Sequence, residues 1–233
     1  IDNSLPTLSL SESSASVGYS RALSIDATIG NDSTASKWCL SESQTTAPAN
    51  GSAICNGGSG PSNGWYMSRP SGMTLSSSDG LKQAYLWIAD SLDQLTSTAS
   101  TSSIILDRTE PTSTCSGLSG PVASASVTAT SSCSDATSGC TQTECRVDAG
   151  SWQASCSFGS LSEAAHTIEV RGTDGAGNLQ TSSFGSCSFT VDVTPPTATL
   201  SGTPSDPSSD AVLNVTVGGT GVVSYRFKVG ESI

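Results

Sequence analysis

Three copies of one short motif constrain this chain more than any other feature. The pattern D-x-[ST]-x-P-T runs from Asp2 to Thr7 (DNSLPT), from Asp107 to Thr112 (DRTEPT) and from Asp192 to Thr197 (DVTPPT). The aspartates are spaced 105 and then 85 residues apart, so the 233 residues read as repeats rather than as one large domain. Those intervals suit β-sandwich modules, and each later junction follows an apolar strand, Ile104-Ile105-Leu106 or Phe189-Thr190-Val191. Proline just after such a strand removes a ladder donor and stiffens the crossing into the next module.

Between the junctions the apolar residues alternate. Leu23, Ile25, Ala27 and Ile29 in the first repeat, Ala123, Ala125, Val127 and Ala129 in the second, and Leu213, Val215 and Val217 in the third each predict the second strand of a module, with one face inward. A third strand is predicted over 37–40, 144–147 and 224–229. Setting Asp90 on Asp174 aligns a late strand over 80–90 with one over 164–174. With 49 Ser and 27 Thr but only 12% charged residues, the chain lacks the polar faces of ordinary amphipathic helices, and no helix beyond a turn or two is expected. Eight cysteines and the run Ala84-Tyr85-Leu86-Trp87-Ile88-Ala89 argue against disorder. The predicted fold class is all-β: two complete sandwich modules (1–108 and a cysteine-rich 109–194) and a partial one (195–233, first strands only), in an extended array.

Charge and composition exclude several functions. A net charge of −11 with only nine Lys and Arg cannot neutralise a phosphate backbone, so no nucleic-acid partner is expected. His166 is the only histidine, and it aligns with Lys82; a position that takes either side chain is a strand start wanting a long polar group rather than a general base, and no enzyme activity is expected. An even number of cysteines suggests disulfides and an oxidising compartment, while the absence of C-x-x-C pairs and of a second histidine argues against zinc. No stretch approaches the roughly 20 apolar residues of a membrane span, so no membrane insertion is expected in this segment. Ile1 in place of Met suggests a processed chain or a fragment, expected at the cell surface or secreted.

The stretches from Cys145 to Trp152 and from Ala165 to Asn178 (AHTIEVRGTDGAGN), followed by the Phe-Thr-Val-Asp approach to Pro196, resemble the tandem bacterial immunoglobulin-like repeats of large surface proteins and adhesins. Val212 to Val229 is similar to another subgroup of them. The resemblance implies immunoglobulin-like sandwiches that serve as stalks, adhesins or appendages of enzymes. On that fold Cys39 with Cys55 and Cys145 with Cys156 take matching places around the third strand, Cys115 and Cys187 fall on neighbouring first and last strands, and Cys133 with Cys140 closes a short loop; six cysteines in one module leave other connectivities open. The resemblance also implies calcium at Asp174, Asn178 and the linker Asp192, with Asp90, Asp93 and Asp107 as a partial second set, although Asp174 and Asn178 would equally close a hydrogen-bonded turn. No other cofactor is expected, and the absence of Lys from 109–194 excludes a Lys-Asn isopeptide bond there.

The expected role is a stiff, disulfide-reinforced spacer or filament subunit. Its expected partners are neighbouring modules or subunits of the same protein, through an apolar edge at Leu213, Val215, Val217, Tyr225 and Phe227 of the unfinished third module. The alternatives are an adhesin that reads a surface glycan or receptor with the loop from Ser41 to Trp65, where Trp65 and Tyr66 could stack on a sugar although a core role is expected of Trp65, and an accessory region of a secreted enzyme.

Overall fold

The computed structural model describes residues 5–48, 64–202 and 214–226, and these contain strands and turns but no helix. Among the described residues seven strands belong to the first unit. Strands β1 (Thr7–Ser11), β3 (Ser24–Gly30) and β5 (Gly72–Thr74) make one antiparallel sheet in the order β1-β3-β5. Strands β2 (Tyr19–Ser20), β7 (Ser100–Leu106), β6 (Gly80–Ala89) and β4 (Lys37–Ser41) make the other in the order β2-β7-β6-β4, with β2 parallel to β7. The period-2 pattern of β3 turns Ile25, Ala27 and Ile29 inward, where with Leu10 and Met73 they meet Trp38, Leu40, Leu86, Ile88, Ile104 and Leu106 of the facing sheet.

The second unit repeats this topology. One side carries β8 (Thr112–Ser116) paired with β11 (Thr130–Ser134), and β10 (Val127–Thr128) paired with β13 (Ser157–Phe158). The other is a sheet in the order β12-β14-β15-β9, made of β9 (Gly120–Val122), β12 (Cys140–Val147), β14 (Ala165–Asp174) and β15 (Gly185–Val191), with β9 parallel to β15. Val127, Ala129, Cys145, Ile168, Val170, Phe189 and Val191 form the core between them. The loops repeat as well: the bridges Trp38 with Tyr66 and Ala89 with Leu95 have counterparts in Cys145 with Gln153 and Thr173 with Leu179. Three disulfides brace this unit, Cys115 to Cys187, Cys133 to Cys140 and Cys145 to Cys156. Cys39 is also disulfide-bonded, and Cys55 lies outside the described residues.

Two strand expectations are corrected. The strand expected from Ala123 begins only at Val127, because the Ser124 hydroxyl donates to the Ser126 carbonyl and accepts from its N–H, closing a local turn that competes with the ladder. Ser224, Tyr225 and Arg226 belong to no strand, so the strand expected over 224–229 does not start there. Trp65 takes the core role expected of it: β4 and β6 send alternate side chains outward, and Cys39, Trp87 and Ala89 on that outer face pack against Trp65, 4% exposed, while Trp87 Nε1 donates to the Gln44 carbonyl at 2.8 Å. Of the third repeat, β16 (Thr199–Ser201) and β17 (Thr216–Gly218) form a two-stranded pair with Leu200 opposite Val217. Val215 and Val217 are half-buried there and Tyr225 is exposed; Leu213 and Phe227 lie outside the described residues.

One buried carboxylate anchors the first core. Asp32 accepts from Trp38 Nε1 at 2.8 Å and pairs with Arg69 Nε at 2.8 Å. Replacing Asp32 with Ala leaves the indole N–H buried without an acceptor and is expected to lower stability by about 1.5 kcal/mol. Urea denaturation followed by tryptophan fluorescence measures this, with Asp32→Asn, which keeps an acceptor, losing less.

Candidate metal centre at the module junction

The chain between the first two units is fastened from both sides. From the first, Asp79 accepts from Arg108 Nε at 3.2 Å and from the Thr109 hydroxyl at 2.9 Å. From the second, Asn178 Nδ2 donates to the Asp107 carbonyl at 3.0 Å, and Glu110 accepts from the Thr181 N–H and hydroxyl at 2.8 and 2.7 Å, bonds that hold its carboxyl below the usual range. Arg21 Nη1 completes the crossing with a bond to the Gly177 carbonyl at 2.8 Å.

Inside this crossing lie three carboxylates. Asp107, Asp135 and Asp174 bring an oxygen each to within 4.8 Å of one another, with Asp107 at 0% and Asp174 at 2% exposure. Asp174 closes the turn after β14, accepting from the Asn178 N–H at 2.8 Å and from its Nδ2 at 2.7 Å, and Gly177 supplies the positive φ of 88° that this turn requires. Asp135 uses one oxygen to accept the N–H groups of Thr137, Ser138 and Gly139. Asp107 Oδ1 accepts from Thr109 N at 3.1 Å, whereas its Oδ2 is buried with no hydrogen-bond partner. Burial, above all, holds the Asp107 carboxyl above the ordinary range, and the charges of Asp135 and Asp174 add to it, against the lowering influence of the Ser138 hydroxyl, which stands near the carboxyl outside hydrogen-bond geometry, and of the Thr109 N–H.

None of the ion pairs among the described residues involves these three acids. Two unit charges this close repel by about 3 kcal/mol at an effective dielectric near 20, so the arrangement calls for a positive charge. The donor set is all oxygen, which fits a hard cation of the calcium type and not zinc.

The linker acid beside Asp174 is Asp107, not Asp192. Strand β15 pairs antiparallel to β14, Ala165 opposite Thr190 and Val170 opposite Gly185, so Asp192 emerges at the Ala165 end of a ten-residue strand whose other end is Asp174. At about 3.3 Å per residue those ends are about 30 Å apart. Asp192 is exposed and caps its own linker, accepting from Thr194 N at 3.2 Å as Asp107 does from Thr109. The partial set at Asp90 and Asp93 does not assemble either: Asp90 closes a turn to Leu92 and Gln94, and Asp93 pairs with Lys37. Asp135 escapes a sequence reading that looks only at the D-x-AGN loop and the linkers; the available signal is an acid inside the short Cys133–Cys140 loop.

His166 serves the fold. It is buried at the start of β14, with Nδ1 2.6 Å from Asp148 Oδ2 and Nε2 2.9 Å from the Ser162 carbonyl, and Lys82 occupies the matching place in β6, donating to Ser76 and Ser78. The Asp148 bond, followed by the Ser162 bond, raises the His166 pKa above 6.5. A raised histidine pKa means a contribution to stability that is complete below about 6.5 and lost as pH climbs through the higher folded value. The second unit is therefore expected to weaken as pH rises from 6 towards 8, and His166→Gln should flatten that slope in urea titrations across this range.

Fold and junction together define the class: tandem immunoglobulin-like β-sandwich modules whose linker runs through an acidic, oxygen-lined centre. No family model matches the sequence, and no curated protein matches it. Among solved structures the chain is similar to the fibronectin(III)-like modules of Clostridium thermocellum CbhA, at 16% identity over 79% of this chain and 94% of that one, with a TM-score of 0.42. It is also similar to a tetra-tandem repeat in the extending region of a large adhesion protein, at 15% identity over 93% of this chain and 62% of that one, with a TM-score of 0.28.

Proposed function

We propose that this chain is a structural segment of an extracellular surface protein, a stiff and disulfide-reinforced spacer or filament subunit whose first joint is braced by a divalent cation of the calcium type. The observation that carries this reading is the buried Asp107 carboxylate, which brings an oxygen close to Asp135 and Asp174 at the linker and whose Oδ2 has no hydrogen-bond partner. Those three residues would hold the ion, with Asn178 orienting Asp174 and tying it to the Asp107 carbonyl. When bound, calcium supplies the positive charge that the buried carboxylates lack. The protein's own part is mechanical: bonds with Asp79, Asn178 and Thr181 fasten one short linker and Arg21 ties the first unit directly to Gly177 of the second, so bending the joint must break several of them together.

Disulfide bracing supports a location outside the cytosol. Burial of Trp65 and the engagement of His166 with Asp148 and Ser162 favour the mechanical role over a glycan-reading loop or an active site. Val215, Val217 and Tyr225 are the proposed contact for a neighbouring module or subunit, and light scattering that reports a strict monomer at high concentration would remove that part.

The joint itself is tested on the full chain by small-angle scattering and thermal melting in calcium and in EGTA. Calcium is expected to raise the melting midpoint and narrow the distribution of chain dimensions. Identical curves in the two buffers would overturn the cation-braced joint.

A further inference from the structure

Asp135 sits in a segment closed by the Cys133–Cys140 disulfide, a sequence separation of 7. That segment is stitched to the turn carrying Asp174: Gly175 N donates to the Gly139 carbonyl at 2.9 Å, Ala176 N to the Ser138 hydroxyl at 3.2 Å, and Cys140 is the direct cross-strand partner of Asp174. The fit is close, since a Cβ at Gly175 would lie 2.5 Å from the Ser138 carbonyl oxygen. The bridge thus joins the end of β11 to the start of β12 just where two of the three carboxylates are held. Among the three described bridges it is the one with both cysteines partly exposed, because Cys145 and Cys187 are buried.

We infer that the Cys133–Cys140 bridge positions Asp135 as the third ligand of the junction centre, making the joint a redox-sensitive cation site that binds calcium tightly when oxidised and weakly when reduced. The inference rests on the cation reading above. A dithiol reductant breaks the Cys133–Cys140 S–S bond and closes its own disulfide as its two protons pass to the cysteine sulfurs. The freed segment then has only hydrogen bonds to hold Asp135 beside Asp107 and Asp174. Losing the support of a metal ligand weakens binding by about 10- to 100-fold.

Calcium titration calorimetry on the oxidised full chain, on Cys133→Ser/Cys140→Ser and on Asp135→Asn tests this. At least a tenfold loss of affinity is expected in both variants, with hydrogen-exchange protection of β14 and β15 retained. Linkage supplies a second measurement on unmutated protein: calcium must raise the dithiothreitol concentration that half-reduces this bridge, read by alkylation and peptide mapping, by the same factor. No calcium binding by the oxidised chain would sink the braced joint and this inference together. Binding that is unchanged in the bridge-free variant, or half-reduction insensitive to calcium, would overturn this inference alone.

Discussion

Replacing Cys115 and Cys187 together with alanine is expected to cost the second module about 4 kcal/mol, more than the loss of either other described bridge. The bridge ties β8 in one sheet to β15 in the facing sheet across a sequence separation of 72. Cross-linking removes loop-closure entropy from the unfolded chain in proportion to the logarithm of the loop, so separations of 7 and 11, for Cys133–Cys140 and Cys145–Cys156, are worth only about 2.5 and 3 kcal/mol. For a unit of this size a 4 kcal/mol loss lowers the melting midpoint by roughly 20 °C. Hydrogen exchange of the β14 and β15 amides reports the loss for this unit separately from the first. A smaller loss than that of the Cys133/Cys140 double variant would show that strain or residual unfolded-state structure outweighs the entropy of the long loop.

The strands most readily read from sequence are those with one face in the core. Alternation in β3 follows from burial of every second residue, and the alignment of 80–90 with 164–174 lands on β6 and β14, two ten-residue strands followed by the same turn. Asp90 N donates to the Gln94 carbonyl and Asp174 N to the Asn178 carbonyl, both at 3.1 Å, so one backbone geometry persists where the residues differ.

What escapes is what pairing decides. Eighteen residues separate Asp174 from Asp192, but they contain a turn and a returning strand, which carry the chain to the opposite end of the module; Asp107, 67 residues away, is the neighbour instead. Asp135 escapes because a loop residue leaves no periodic trace and its place is set by a covalent closure. The Ala123 segment keeps the apolar alternation of a strand, yet the Ser124 hydroxyl satisfies the backbone locally and the ladder starts later.

Asp107→Asn is expected to stabilise the cation-free chain by about 2 kcal/mol while abolishing stabilisation by calcium, an inversion that separates a ligand from a merely structural acid. In the wild type without metal, a buried carboxylate oxygen lies unpartnered beside two further carboxylates, and an unsatisfied buried charged group costs upwards of about 1–3 kcal/mol. An amide carries no charge there, and its N–H can donate to Asp135 or Asp174. The pH dependence has a fixed sign: because the folded Asp107 pKa is raised, its contribution to stability is complete below the ordinary carboxylate value of about 3.9 and is lost as pH climbs through the folded value. EGTA-treated wild type should therefore lose stability on that rise, and Asp107→Asn should not. Asp192→Asn is the control: its side chain is exposed at the far end of the module, and both the cation-free stability and the calcium response should match wild type. Melting of the three proteins in EGTA and in calcium between pH 4 and 8 measures all of this. A less stable Asp107→Asn that still gains from calcium would mean that Asp107 is an ordinary structural carboxylate and that any ion binds elsewhere.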